Sequence, residues 1–177
     1  PKRKLKYTLH YIHNGSTWIC VNTHLANKIV KKAIEKKQIN ELSGYDRIQT
    51  EVKTSNHTRL DLMLQTDDKK CYVEVKTVTL KGDEEGLVMF PDAVTKRGQK
   101  HLHELITLKK RGHRAVLFFL VQREDAHTFQ PATHIDPQYT ADLIQAVNAG
   151  VEIICYQSTF IDHTITMYRA ISVDILK

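Results

Sequence analysis

With 177 residues, 41 % of them hydrophobic and only 7 glycines and 4 prolines, the chain has material for one full core and little for a second. Lysine and arginine number 26 against 20 aspartate and glutamate, a net charge of +6 before any of the 10 histidines protonates; that balance suits a polyanionic partner, reached through phosphate contacts and counterion release, and equally suits a basic protein that is merely soluble. No apolar run is long enough to cross a bilayer, the start is too basic and polar for a signal peptide, and the 3 cysteines each sit in an apolar stretch, so no membrane span, secretory leader or disulfide framework is expected, and a reducing, cytoplasmic setting is.

In chain order, residues 1–12 read as a basic start, the remnant of a linker from a preceding segment, and residues 13–177 as one domain. A strand through Trp18 to Val21 precedes a helix capped by Asn22 and Thr23, whose Leu25, Ile29, Ala33 and Ile34 share one face while Lys28, Lys31, Lys32 and Lys36 turn outward. Ile48 to Lys53 predicts a strand, and apolar residues then alternate in Leu60-Asp61-Leu62-Met63-Leu64 and Cys71-Tyr72-Val73-Glu74-Val75-Lys76, the pattern of two more. Residues 81–86 read as a polar, mobile loop bracketed by glycines. A second helix fits Thr95 to Arg111, with Leu102, Leu105 and Ile106 inward and Gly112 beyond its end. The unbroken run Ala115 to Val121 is a strand covered on both faces, Asp136-Pro137 starts a third helix to Gly150, Val151 to Tyr156 is a further buried strand, and Ile165 to Ile175 an edge strand with its extension. These elements predict an α/β fold with a mixed sheet flanked by helices.

The two alternating strands carry the chemistry. With Asp67-Asp68 at the tip of their hairpin, Leu62 falls opposite Val73 and Asp61 opposite Glu74. One face then shows Leu60, Leu62, Leu64, Cys71, Val73 and Val75, and the other Arg59, Asp61, Met63, Tyr72, Glu74 and Lys76. Directly opposed carboxylates repel. Either Lys76 compensates them, as part of a solvated, salt-bridged face, or a hard divalent cation binds between the oxygens of Asp61 and Glu74. An aspartate on one strand and Glu-x-Lys on the next, set between helices, is the order used in metal-dependent phosphodiester cleavage, in which the cation polarises the phosphate and acidifies a water that the lysine orients.

At these residues the sequence resembles the PD-(D/E)xK nuclease superfamily, and more closely the sugar fermentation stimulation protein A family. The resemblance runs over nearly the whole chain, through Val21 to Asn27, Arg59-Leu60-Asp61, Tyr72 to Lys76, Phe90 to Leu102, Gly112 to Val116 and Val121 to Asp125. It implies a restriction-endonuclease-like fold, DNA binding without sequence preference, and a regulatory role in sugar use, in particular maltose metabolism. The family usually carries a small OB-like barrel before this domain, which marks residues 1–12 as the linker remnant. Two departures stand out: Leu60 occupies the position of the superfamily's proline, and the first helix has no acidic residue at its centre, only Glu35 near its end.

The candidate site is therefore Asp61 and Glu74 as ligands of Mg2+ or Mn2+ and Lys76 orienting the water. Glu51 is a further ligand if the loop before Arg59 places it across from Asp61. Gln99, on the inward face of the second helix, either assists near the phosphate or is a capping or solvated glutamine. Lys96, Arg97, Lys100 and His101, at a helix start that already favours phosphate, and Arg59 on the hairpin's polar face are the candidate DNA contacts, against a solvated basic surface. His10, His13, His101 and His103 lack companion ligands at metal-site spacing and read as surface residues, and Asp92 as a turn-fixing aspartate. The expected partner is DNA, with no membrane and with a homodimer left open. A metal-dependent deoxyribonuclease and a non-catalytic DNA-binding regulator both remain; a small-molecule enzyme of sugar metabolism would need a sugar pocket that the sequence does not display.

Overall fold

The computed structural model describes residues 5–56 and 58–175; the first four residues of the expected basic start lie outside them. From the N-terminus come β1 (Tyr11–His13), β2 (Trp18–Cys20), α1 (Ala26–Glu35), β3 (Arg47–Lys53), β4 (Arg59–Thr66) and β5 (Lys69–Val78). After these follow β6 (Leu80–Lys81), β7 (Leu87–Phe90), α2 (Lys96–Lys110), β8 (Arg114–Val121), β9 (Thr128–Pro131), α3 (Pro137–Asn148), β10 (Glu152–Ile161), β11 (Thr164–Ala170) and β12 (Ser172–Val173).

The central sheet has the order β11-β10-β8-β5-β4-β3. Strands β3, β4 and β5 form an antiparallel meander, β8 pairs in parallel with β5 and β10, and β11 closes one edge antiparallel to β10. Every residue of β8 from Ala115 to Val121 is buried, as an apolar run must be when a parallel strand is covered on both faces. Helix α1 buries Ala26, Ile29, Val30, Ala33 and Ile34 against one face of the sheet. Helices α2 and α3 cover the other, where Leu102, Leu105, Tyr139 and Leu143 meet Leu117 and Phe119. The expected α/β arrangement, a mixed sheet flanked by helices, is the one found. None of the helices among the described residues is long and apolar enough to cross a membrane.

Three details depart from the sequence expectation. Residues 1–12 were expected to hold only a basic start, whereas Tyr11–His13 pairs with β2. The loop expected at residues 81–86 is found beyond Lys81, which ends β6, as the tip of the β6–β7 hairpin, where the Gly82 N–H donates to the Leu87 carbonyl and Gly86 adopts a left-handed φ of +74° with His127 packed where a Cβ would project. Strands β7 and β9, too short to carry a periodic signal, pair with each other and build a second sheet, β12-β9-β7-β6. In the β4–β5 hairpin the register is the expected one, with Leu62 opposite Val73, but the polar face is not solvated: Met63 and Tyr72 are buried beneath α2, and Leu60 joins them rather than Leu62 and Leu64. The hairpin lies inside a sheet with helices on both sides, so both of its faces are interior.

The seat of α2 depends on Asp136, the cap of α3. Its buried carboxylate accepts from Tyr139 N–H at 2.9 Å within α3, from Thr95 N–H at 2.9 Å at the start of α2, and from the Gln99 amide at 3.0 and 3.1 Å. Asp136→Ala removes a helix cap and strands two buried donors, and urea denaturation should show a loss of about 3 kcal/mol.

Candidate functional site

At Asp61 the central sheet comes apart. Along β3 and β4 the pairing passes from Thr50 opposite Leu62 to Val52 opposite Leu60 and omits Glu51 and Asp61, and Glu51 sits at a left-handed φ of 55°. On the other side the β4–β5 ladder ends at Leu62 opposite Val73. Beyond that point the Asp61 side chain substitutes for the missing strand contact: Oδ2 accepts the Val75 N–H at 2.8 Å, and Oδ1 accepts from Asn27 Nδ2 in α1 at 2.7 Å.

Glu74 follows on β5 with 2 % of its surface exposed. Its Oε1 accepts from Lys76 Nζ at 2.7 Å and is in close hydrogen-bond contact with His101 Nδ1 from α2. The Arg97 guanidinium, a donor only, approaches His101 Nε2 at 3.5 Å, which places the ring proton on Nδ1, facing Glu74. The other Glu74 oxygen, Oε2, is buried without a hydrogen-bond partner among the described residues.

These groups line one cleft of about 340 Å³, together with Thr23, Phe90 and Asp92. Its electrostatics are asymmetric. Burial, and secondly the charge of Glu74, push the Asp61 carboxyl up to about 6, against the hydrogen bonds from Val75 and Asn27. Burial acts on Glu74 in the same direction, but His101 and Lys76 outweigh it and hold that carboxyl below its ordinary value. One acid is thus kept ionised by its partners, and the other is the more readily protonated.

The structure brings Asp61, Glu74, Lys76 and Arg97 together and leaves other expected residues apart. Glu51 lies across from Asp61 in register, but its exposed side chain lies beside Arg59 at 3.8 Å and does not line the cleft; among the described residues no three His, Cys, Asp or Glu side chains gather as a metal-ligand set. Gln99 is buried and committed to Asp136 instead of the cleft, because its position on α2 faces α3. Lys96, Arg97 and Lys100 are exposed at the start of α2, and Arg59 is exposed on β4. His101, expected at the surface as a DNA contact, is 5 % exposed and bound to Glu74; with Leu105 and Leu108 it forms an i, i+4, i+7 stripe, the signal that would have turned it inward. Asp92 opens onto the cleft as well as following its turn. Asn27 was passed over because an amide beside a run of lysines carries no ligand pattern.

For Asp61, a carboxyl with a folded value near 6 and an ordinary value of 3.8 binds more protons in the folded than in the unfolded chain between those limits. Its contribution to stability therefore declines as pH rises from about 4 to 6. A carboxyl-carbon NMR titration should give Asp61 a midpoint near 6, and Glu74→Gln, by removing the neighbouring charge, should lower it.

The family profile described as "Sugar fermentation stimulation protein RE domain" matches residues 24–164. A sugar fermentation stimulation protein homolog of Desulfotalea psychrophila is 49 % identical over 161 residues, covering 91 % of this chain and 67 % of that protein. One of Geotalea daltonii is 46 % identical over 173 residues, covering 98 % and 74 % respectively. Among solved structures, that of Pyrococcus furiosus SfsA in complex with Ca2+ superposes with a TM-score of 0.89 at 29 % identity, over 98 % of this chain and 74 % of that one. Similarity of this extent in sequence and in fold establishes that the chain belongs to the sugar fermentation stimulation protein family.

Proposed function

We propose that the cleft hydrolyses DNA phosphodiester bonds with a divalent cation, as in the PD-(D/E)xK nucleases. The observation that carries this is the convergence of Asp61, Glu74 and Lys76 in one cleft beside Arg97. The donor set fits a hard cation: Glu74 Oε2 is a buried carboxylate oxygen without a partner, and Asp61 and Glu74 repel each other in a way that a positive charge between them would relieve. The Ca2+ named with the Pyrococcus furiosus protein, an ion that takes the same oxygen ligands as Mg2+, adds support.

Asp61 and Glu74 would hold the cation. Mg2+ or Mn2+ bound there supplies a Lewis acid for the phosphate and a water of lowered pKa. Lys76, anchored on Glu74 at 2.7 Å, is placed to orient that water and to face the charge that grows on the phosphate. Arg97, exposed at the start of α2 with Lys96 and Lys100, supplies a donor for a phosphate oxygen where the helix N-terminus already favours an anion. His101 holds Glu74 in its rotamer from behind. The excess of basic residues, +6 overall, favours a polyanion over a neutral sugar.

A second reading, a DNA-binding regulator of sugar use that does not cleave, is favoured by one observation: Glu74 is already engaged by Lys76 and His101, and no third acid joins the pair among the described residues. Plasmid nicking separates the two. The catalytic proposal expects conversion of supercoiled to open-circular DNA with Mg2+ or Mn2+, suppressed by EDTA and reduced at least about 100-fold in Asp61→Ala and Lys76→Ala. The regulator expects salt-sensitive retardation of DNA, no cleavage with either ion, and binding unaltered by both substitutions.

A further inference from the structure

On the far side of α1 from the cleft lies a second groove of about 390 Å³, between that helix and the edge strand β11. Its floor is apolar: Leu25, just before α1, and Ile29 and Ala33 within it face Ile165 and Met167 from β11. One rim is basic, formed by Lys28, Lys32 and Lys36 at i, i+4 and i+8. All three are exposed and none is paired with a carboxylate among the described residues, whereas Lys31, on the adjoining stripe, is bound to Glu35 at 3.0 Å. No acidic residue lines the groove. His10 and His163 stand beside it, and it ends on an aromatic cluster in which Tyr11 lies 4.5 Å from Phe160 and Phe160 lies 5.1 Å from Trp18, itself 38 % exposed.

Three features select an occupant. Four helical residues rise about 6 Å, so the lysines present charges at intervals close to those between successive phosphates of an extended strand. An aromatic ring beside an apolar floor accepts unpaired bases, which stack without regard to sequence. Helix α1 also joins the groove to the cleft: Asn27, bound to Asp61, and Lys28, on the groove rim, are consecutive residues.

We propose that the groove between α1 and β11 is a track for single-stranded DNA leading over the start of α1 to the Asp61–Glu74 cleft. The DNA identity rests on the phosphodiesterase proposal and sharpens it: phosphates lie along Lys28, Lys32 and Lys36, bases rest on Tyr11 and the floor between α1 and β11, and the strand is unpaired on at least one side of the cleavage point. The rival occupant is an acidic peptide adding to the free edge of β11, which would use the same lysines but not base stacking.

The test is fluorescence anisotropy of a labelled oligothymidylate of roughly 12 nucleotides with the full chain in EDTA. Replacing Lys28, Lys32 and Lys36 together by Gln should weaken binding at least about tenfold and reduce the slope of log affinity against log salt by about 2. Removing the same charge at exposed Lys53, Lys69 and Lys110 should change it less than about threefold. Tyr11→Ala should weaken binding about tenfold and Tyr11→Phe should restore it, and a polyglutamate peptide should not displace the strand. The track is overturned if the wild type does not bind the oligonucleotide, if the groove and control triples behave alike with both melting as the wild type does, or if polyglutamate displaces the DNA. Plasmid nicking is scored in parallel: cleavage with single-strand binding indifferent to the groove overturns the track and spares the catalytic proposal, and groove-dependent binding without cleavage does the reverse.

Discussion

A carboxylate withdrawn from water must be matched by donors and positive charge or it takes up a proton, and Glu74 imposes that demand on everything around it. Lys76 answers it from the same strand, two residues on, and His101 answers it from α2. The second contact fixes the helix against the sheet, and a polar chain extends from it: Gln99, on the same helix, is tied to Asp136, which caps α3 and also receives the Thr95 N–H. The start of α2 is thus held at two points, to the sheet by His101 and to the third helix by Gln99 and the Thr95 N–H. Gln99 serves the site from a distance, through the seat of α2.

The opening of the sheet at Asp61 is the second half of the arrangement. A strand that stayed paired would alternate its side chains strictly to the two faces. Where β4 loses its partners on both sides, the aspartate reaches Asn27 in α1 and the backbone of Val75 at once. Glu74, one strand over, is drawn toward α2 on the opposite face. The two acids therefore share a cleft at the mouth of the sheet although the helices that restrain them lie on opposite sides of it. The interruption serves a purpose, since a continuous ladder would leave no room between β4 and β5 for a third group.

Much of the fold was legible because its strongest signals are periodic. The lysine-backed stripe of α1, the continuous run of β8 and the Asp136-Pro137 start of α3 each follow from local spacing and capping, and the register of β4 with β5 follows from where the apolar residues fall. The second sheet was not legible, since β6 and β12 have two residues each and β7 and β9 four, less than a period-2 pattern needs to declare itself. In the site, the hairpin pattern brought Asp61, Glu74 and Lys76 near one another, but the direct opposition of Asp61 and Glu74 that it implied is not part of the ladder, which ends at Leu62 opposite Val73. The spacing of His101 with Leu105 and Leu108 carries its inward direction, but its partner, like that of Asn27, depends on how α2 and α1 lie across the sheet, a tertiary matter that spacing within a helix leaves open. Glu51 shows the same limit: loop parity left its side open, the register set it across from Asp61, and a left-handed backbone together with Arg59 took its side chain elsewhere.

Asn27 also bears on the missing helix acid. An acid at this position would add a third negative charge to Asp61 and Glu74, and the cleft would then depend on a cation simply to remain folded around them. The Asn27 amide donates a hydrogen bond to Asp61 instead, stabilising its ionised form without adding charge. Against the carboxylates of Asp61, Glu74 and Asp92 the cleft already sets the cations of Lys76 and Arg97, so most of its negative charge is matched without an ion. A cation bound as proposed would add positive charge to a site whose acids are largely matched already, and two carboxylates would hold it less strongly than three.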